Sequence, residues 1–338
     1  MVNKQHSGYG NRGYKLRIGY AVILLFAVGL MSCNEPDKLI RVVDMPQYAS
    51  GSSIERFNDR LYLMGDDAVQ AMVLNLQLQV TDSISLFEDT AQRIPKSRKA
   101  DIESGGVFSD STLLWMGSGS KKNRNRAILY HLITRDTQHL SLDTFFYRLS
   151  VAGIPSLNIE GMAVTPQQVI LANRGNGNSP VNQLIFVPHH FWKRQERAGI
   201  SVVKTGFQST SVKKDGVEGL SGLAYSTQYD RLFATVSTEI SADGVEDGVI
   251  GNSYLWIFDD ISPKRTFTAL NPSKVIALAD IDPRLKHQKI EAVALLEENK
   301  HSVRLVLTAD NDDGTTRLFE VQISNTPPER KGSNFWDL

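Results

Sequence analysis

Asn158-Ile159-Glu160-Gly161 is one copy of a short pattern, a β-branched residue followed by glutamate, that recurs five times along the chain. The five glutamates lie at spacings of 48, 57, 58 and 73 residues; they are Glu55, Glu103, Glu160, Glu218 and Glu291. Each copy leads into an apolar run typical of a strand, and two further apolar runs follow it. Strand units repeated at such spacings indicate a β-propeller, in which equivalent residues surround one axis.

The second strand of each unit is the clearest, because it is short, apolar and bounded by polar turn residues. These strands are predicted at 61–64, 113–116, 169–172, 232–236 and 303–307. The segment 289–300 is rich in helix formers, but its alignment with the other units favours a strand. The fifth unit lacks a fourth strand, which 39–43 can supply from ahead of the first unit. The sequence therefore predicts an all-β protein, a five-bladed propeller closed by an N-terminal strand; the long fourth unit also fits six blades.

Residues 1–33 have the features of a bacterial lipoprotein signal peptide. Four basic residues and no acid precede an apolar run at 18–31, and 30–33 (Leu-Met-Ser-Cys) resembles a lipobox that ends at Cys33, the only cysteine. We therefore expect cleavage before Cys33 and its lipidation, which would anchor the protein in a membrane of the bacterial envelope, on its periplasmic or outer face. An uncleaved N-terminal anchor is the alternative. A single propeller domain at 38–325 and a mobile tail at 326–338 are expected to follow.

The charge balance argues against nucleic acid as a partner. The full chain has 37 basic and 37 acidic residues. Loss of the signal peptide would remove four basic residues and leave 33 against 37, a mildly acidic protein. Binding of nucleic acid phosphates requires a basic surface instead.

Several stretches of the predicted blades carry a family resemblance. They are Glu55 with 61–67, 117–120, 157–161 with 174–177, and 289–292. Together they resemble a bacterial β-propeller lipoprotein family described only as a domain of unknown function, which is similar to the propellers called "esterase-like activity of phytase". The resemblance covers most of residues 38–323. It implies a propeller and no particular substrate or catalytic residues.

The repeated glutamates are the first candidate site, with two interpretations open. Several carboxylates around one axis suit a hard cation such as calcium. Alternatively, each glutamate accepts backbone N–H groups or pairs with an arginine of the next blade, because like charges cannot gather uncompensated. The candidates for a channel or metal site are Glu55, Glu103, Glu160, Glu218 and Glu291.

The loop after the second strand of the second unit is the other candidate site. Its glycines allow backbone N–H groups to point at an anion, and an arginine can bind that anion through two hydrogen bonds. A solvated hairpin tip is the alternative. The anion-binding candidates are Ser118, Ser120, Lys121, Arg124 and Arg126 on this loop, and Arg174 on the corresponding loop of the third unit. A similar loop at 310–314 favours a tight Asp-Gly turn over a calcium loop.

Two functions are compatible with these patterns. One is a binding module whose loop-rich face takes a small anionic or zwitterionic ligand or a partner protein. The other is a metal-dependent esterase or phosphoesterase that uses calcium. The propeller fold does not decide between them, because one fold supports many functions.

Overall fold

Five sheets arranged around one axis form the described part of this protein. The computed structural model describes residues 36–88, 93–154, 156–175, 179–206, 217–240, 249–262, 269–311 and 314–325. The sheets are the blades of a β-propeller, and each is antiparallel except for one short parallel strand at the edge of the third. The predicted fold class is confirmed.

The strands occupy equivalent positions from blade to blade. The innermost are β2 (Gly51–Phe57), β6 (Ile102–Val107), β10 (Ile159–Val164), β14 (Val217–Ser226) and β19 (Ile290–Glu298). The second are β3 (Arg60–Gly65), β7 (Thr112–Gly117), β11 (Val169–Asn173), β15 (Arg231–Ile240) and β20 (Ser302–Asp310). The third are β4 (Gln70–Asn75), β8 (Arg126–His131), β12 (Asn182–Val187), β16 (Val249–Asp259) and β21 (Thr316–Ser324). The outer are β5 (Val80–Ser85), β9 (Thr137–Ser141), β13 (Ser201–Thr205), β18 (Lys274–Ala277) and β1 (Lys38–Met45), with β17 (Ala269–Leu270) beside β13.

The N-terminal strand closes the ring. β1 pairs antiparallel with β21, from Lys38 opposite Gln322 to Met45 opposite Thr316. The fifth blade is therefore built from both ends of the described chain, and the ring has no blade with a missing outer strand. Residues 290–298, rich in helix formers, are the strand β19, as their alignment predicted.

Apolar side chains between neighbouring blades form the core. Strands β7, β11, β15 and β20 are almost completely buried, because sheets face them on both sides. The helix α1 (Asp143–Val151) covers the seam between the second and third blades with Phe145, Phe146 and Leu149. A second short helix, α2 (Leu278–Ile281), follows β18. Among the described residues, no helix has the length and apolar character needed to cross a bilayer.

Each inner strand has a β-bulge at the same place, and the bulge sets the repeat register. In the second, third and fifth blades the extra residue is Glu103, Glu160 and Glu291, respectively. In the first blade it is Ser52. In the fourth blade the register shift leaves Ser221 and Gly222 opposite a single residue, so that Ser221 takes the equivalent position. An extra residue in one strand redirects its side chain, and bulges are frequent beside functional sites.

This register corrects part of the predicted repeat. The five glutamates were expected at equivalent positions, but only three occupy the bulge. Glu55 lies three residues after Ser52, and Glu218 lies three residues before Ser221. The β-branched residue before each glutamate matched by chance in these two blades, because the position that the bulge requires holds serine.

Candidate functional site

The five inner strands surround a narrow channel on the axis of the ring, which we call the throat, and the bulge residues Ser52, Glu103 and Glu160 line it. The empty space between the inner strands is ≈ 180 Å³, including solvent at its opening. Among the described residues, the lining consists of glutamates, serines, glycines and small aliphatic side chains, without an aromatic ring. Glu55, Glu103 and Glu160 all line this space.

On the side of the first two blades, the throat has a group of carboxylates that already contains a cation. The Lys99 ammonium lies 2.8 Å from Asp101 Oδ1 and also contacts the Asp66 carboxylate. Arg124 donates from Nη1 to Asp101 Oδ2 over 2.6 Å. Burial raises the pKa of Asp66 to about 6, although the charge of Lys99 opposes the shift.

The carboxylates of Asp66, Asp101 and Glu103 are the candidates for a calcium site in this group. Oxygen atoms of Asp66, Asp101 and Glu103 lie within 4.8 Å of one another, which is a spacing that a cation could bridge. The Lys99 ammonium, however, is in contact with two of the three carboxylates. The charges of Asp66, Glu103 and Asp101 raise the pKa of Lys99 against the effect of its burial, so the ammonium keeps its proton. The group therefore does not fit a calcium ion while Lys99 stays in place.

Glu103 differs from its neighbours in having no partner. Among the described residues, nothing forms a hydrogen bond or an ion pair with its side chain. Burial raises the pKa of Glu103 well above its ordinary value, the charges of Glu160, Asp101 and Asp66 raise it further, and Lys99 acts in the opposite direction. A carboxyl group in such surroundings keeps its proton until a cation approaches.

Glu160 is the next bulge residue around the ring. Its Oε1 accepts a hydrogen bond from Asn158 Nδ2. Burial raises the pKa of Glu160 to about 8, Glu291 raises it as well, and Arg174 acts in the opposite direction. Glu103 and Glu160 are therefore adjacent bulge residues whose pKa values are both raised.

On the opposite side of the throat, cations and carboxylates are matched. Arg174 donates to Ser221 Oγ over 2.7 Å and to Glu239 Oε1 over 2.8 Å, so that it joins the third blade to the fourth. Lys289 Nζ lies 3.2 Å from Glu291 and 3.3 Å from Glu239. Burial of Glu291 opposes its ionisation, but Lys289 and Arg174 outweigh this effect and lower its pKa.

Glu55 lies at the seam between the first and second blades. Its Oε1 accepts from Ser53 Oγ over 2.6 Å, and its Oε2 accepts from Trp115 Nε1 over 3.2 Å. Gly105 leaves the room for this side chain, since a Cβ there would lie 2.3 Å from Glu55 Oε1. Burial raises the pKa of Glu55 to about 8, and the two hydrogen bonds only partly offset this.

Glu218 is apart from the charged groups of the throat. It is half-buried at the start of β14, and it is absent from the residues that line the channel. Burial raises its pKa, and no charged neighbour contributes to the shift.

The structure places the anion-binding candidates in two different settings. Ser118 is fully buried and donates from Oγ to Asp101, and Ser120 Oγ accepts from Arg124 Nη1 over 2.8 Å. Arg124 and Arg174 were expected at a hairpin tip, but both are mostly buried and paired with carboxylates. Lys121 and Arg126 are exposed at the ends of the same loop. Anion binding stays a prediction, and these two exposed side chains are its available cations.

Some predicted positions lie outside the described residues. They are Cys33 with the rest of the signal peptide, 176–178, 312–313 and the tail from 326. Lipidation, the envelope location and the form of the 310–314 loop therefore stay predictions.

Sequence reasoning missed two cations, Lys99 and Lys289, and the two serines, Ser52 and Ser221, that stand where the other bulges have glutamate. Lys99 lies four residues ahead of the bulge residue Glu103, and Lys289 lies two residues ahead of the bulge residue Glu291. A basic residue shortly before the bulge was a usable signal. Ser221 gave no signal, because serine next to glycine is common in strands and turns alike.

A comparison with protein families shows to which family this chain belongs. The model for DUF6929, a family of unknown function, matches residues 47–323, and the chain belongs to that family. The predicted resemblance to a family of unknown function is thus confirmed, whereas its likeness to the phytase-type propellers stays a prediction. A search of curated protein sequences found no match.

Several solved structures are similar to this chain at low sequence identity. A glutaminyl cyclase from Myxococcus xanthus is 12% identical over 86% of this chain and 100% of its own, with a TM-score of 0.49. A putative exported protein from Bacteroides fragilis is 10% identical over 84% and 93%, with a TM-score of 0.40. A variant α-L-arabinanase from Cellvibrio cellulosa is 11% identical over 83% and 92%, with a TM-score of 0.43. No inference about activity follows from these likenesses.

Proposed function

We propose that this propeller is a binding module whose throat takes the ammonium group of a small zwitterionic ligand. The observation that carries the proposal is Glu103, a carboxyl group that lines the throat and has no partner among the described residues. A native protein rarely leaves a polar side chain in such a position without a use. A cationic group that donates hydrogen bonds would complete its surroundings.

The charge balance of the throat supports a cation. Lys99 is committed to Asp66 and Asp101, and Lys289 is committed to Glu239 and Glu291. Lys99 also attracts Glu103, and Lys289 also attracts Glu160, but among the described residues neither cation forms an ion pair with these two carboxyl groups. A hydrogen bond from an ammonium to such a carboxylate contributes about 1.5–3 kcal/mol.

The size and lining of the throat favour a primary ammonium. The room inside it for a bound group is ≈ 10 Å³, about that of one water molecule. The body of the ligand would therefore lie outside, over the loops. Quaternary ammonium groups are bound by aromatic faces, and the described lining has none. The anionic end of the ligand would find the exposed Lys121 and Arg126, on the loop that Ser118 joins to Asp101.

Thermal stability in the presence of simple cations tests this function. Methylammonium chloride should raise the Tm of the protein by mass action, and tetramethylammonium chloride at the same ionic strength should not. Glu103→Gln should abolish the difference between the two salts, whereas Glu218→Gln, outside the throat, should keep it. Equal effects of both salts on the wild-type protein would exclude the ammonium site.

The same assay distinguishes the binding module from the alternative, a calcium-dependent hydrolase. Its best candidate residues are Asp66, Asp101 and Glu103, because their oxygens are close enough to share one ion. A rise in Tm with calcium chloride that Asp66→Asn removes would favour this alternative. We expect no such rise, because Lys99 already neutralises the group.

We also propose, on the sequence alone, that Cys33 carries a lipid anchor that holds the propeller at a membrane of the bacterial envelope. Its lipobox and its status as the only cysteine support this.

A further inference from the structure

The helix α1 has apolar side chains on its outer face as well as on its inner one. Phe145, Phe146 and Leu149 are buried in the seam between the second and third blades. Tyr147 and Val151 are four residues apart, so they lie on one face of the helix, and each is 69% exposed. Two apolar side chains alone do not identify a partner, so the charges around them decide what this face can bind.

A turn that follows β12 lies alongside α1 and is held there by hydrogen bonds. Gln195 Oε1 accepts from Phe145 N over 3.1 Å, and Gln195 Nε2 donates to Ser141 O over 2.8 Å. Arg148 Nη1 donates to the backbone oxygens of Gln195 and Ala198, each over 2.7 Å. These bonds fix the turn against the helix, so the two elements form one continuous surface.

Residues 193–197, which we call the basic turn, present mainly cations to solvent. Lys193, Arg194 and Arg197 are exposed, and the acid of the turn, Glu196, lies 3.8 Å from Arg197. The helix and the turn together have four basic and two acidic residues: Arg148, Lys193, Arg194 and Arg197 against Asp143 and Glu196. The predicted mature chain is mildly acidic, so this positive surface differs from the molecule as a whole and complements an anionic partner.

We propose that the outer face of α1 and the basic turn form a docking surface for a membrane that contains anionic phospholipids. The cations bind the phosphate groups of such lipids, and a tyrosine with a valine beside it enters the layer just beneath them. A protein partner fits less well, because two exposed apolar side chains cover far less than the ~800 Å² that each side of a stable protein interface buries. The docking surface goes beyond the binding module and needs no ligand in the throat.

A fluorescent label on α1 measures the docking directly. Cys33 is the only cysteine, so the full chain with Cys33→Ala and Val151→Cys takes one label whose emission depends on the polarity around it. Vesicles of phosphatidylglycerol, which is anionic, should shift this emission to the blue, and vesicles of phosphatidylcholine should not. The control label is placed by Val80→Cys, at an exposed position on the first blade, and should respond to neither vesicle. Any attachment through the apolar run at 18–31 affects both labels, so the difference between them reports the docking surface.

Charge removal tests the role of the basic turn. A basic side chain near an anionic surface strengthens binding roughly fivefold. Lys193→Gln with Arg194→Gln should therefore weaken the affinity for phosphatidylglycerol vesicles by roughly 25-fold. Lys286→Gln with Lys300→Gln, which removes two exposed cations away from α1, is the matched control and should keep the affinity.

Three outcomes would overturn the docking surface. They are the same response at both labels, the same response to both kinds of vesicle, and an affinity that the loss of Lys193 and Arg194 leaves unchanged. A response of the label on α1 to polyglutamate without a response to phosphatidylglycerol would also overturn it, in favour of an acidic protein partner. The near-ultraviolet circular dichroism of each variant should match that of the Cys33→Ala chain, because all the substituted side chains are exposed.

Discussion

At the scale of single residues, the glutamates of this ring differ in how strongly each holds its proton. Glu291 is ionised because Lys289 and Arg174 lie against it. Burial raises the pKa values of Glu103 and Glu160, and neighbouring carboxylates raise them further, against the cations nearby. Glu55 is neutral because burial at a seam between blades disfavours its charge. The neighbouring cations, more than burial itself, decide which carboxyl groups are charged.

Glu55→Gln should make the stability of the protein less dependent on pH. Between about 4.3, the pKa of an unfolded glutamate, and about 8 in the fold, the folded state binds the proton more tightly. The free energy of unfolding therefore falls as pH rises, by up to about 1.4 kcal/mol for each pH unit. Glutamine has no proton to lose, and its amide can still bond to Ser53 and Trp115.

Urea unfolding near pH 5 and near pH 8 measures this effect. The variant should be close to wild type at the lower pH and more stable at the higher pH. Glu297→Gln, at an exposed position, is the matched control and should follow wild type. A variant with the same dependence on pH as wild type would show that Glu55 is charged in the fold.

The sequence could identify three of the five bulge residues, and physical reasons explain the other two. The repeat was aligned on a β-branched residue before glutamate, and this rule holds at Glu103, Glu160 and Glu291. The other two bulges hold serine, at Ser52 and Ser221. The alignment of the repeat therefore matched Glu55 and Glu218 instead, each three residues from its bulge. A bulge is set by strand pairing, which a single sequence does not display.

At the scale of elements, the inner strands are the most constrained part of the fold. Residues 290–298 have helix propensity and yet form β19, because burial between two blades outweighs a weak local preference. The inner strands approach one another at positions with small residues. A Cβ at Gly222 would lie 2.5 Å from Ala292 Cα, on the inner strand of the next blade.

Gly222→Ala should therefore destabilise the ring. The backbone of β19 would have to move, and overpacking of this kind costs about 1–3 kcal/mol. Gly199→Ala is the control, since a Cβ at Gly199 meets nothing within 4 Å. Chemical denaturation of both variants checks the prediction, which fails if the two lose the same free energy of unfolding.

At the scale of the whole molecule, β1 closes the ring because it completes the fifth blade beside β21. The prediction of this strand from the missing fourth run of the fifth unit is confirmed. β1 covers β21, where Phe319 and Val321 are fully buried. Ser324 N also donates to Asp37 Oδ1 over 2.7 Å, just ahead of the strand. Without β1, a long apolar strand would become an open edge, which is prone to aggregation.

Deletion of residues 36–45 should open the fifth blade and lower the stability of the entire propeller. The five inner strands contact one another in a closed circle, so the loss of one blade should also loosen the throat between the others. We expect the Tm to fall by an amount on the order of 10 °C, with aggregation on heating.

A synthetic peptide of residues 36–46, added in excess, should restore part of the Tm because it can pair with the open edge of β21. The same peptide with Val42 replaced by proline is the control, because proline removes an N–H group and disrupts pairing. A truncated protein that melts like the full chain would show that the first and fifth blades hold the ring together without this strand. Recovery with the proline peptide would show that the rescue does not depend on strand pairing.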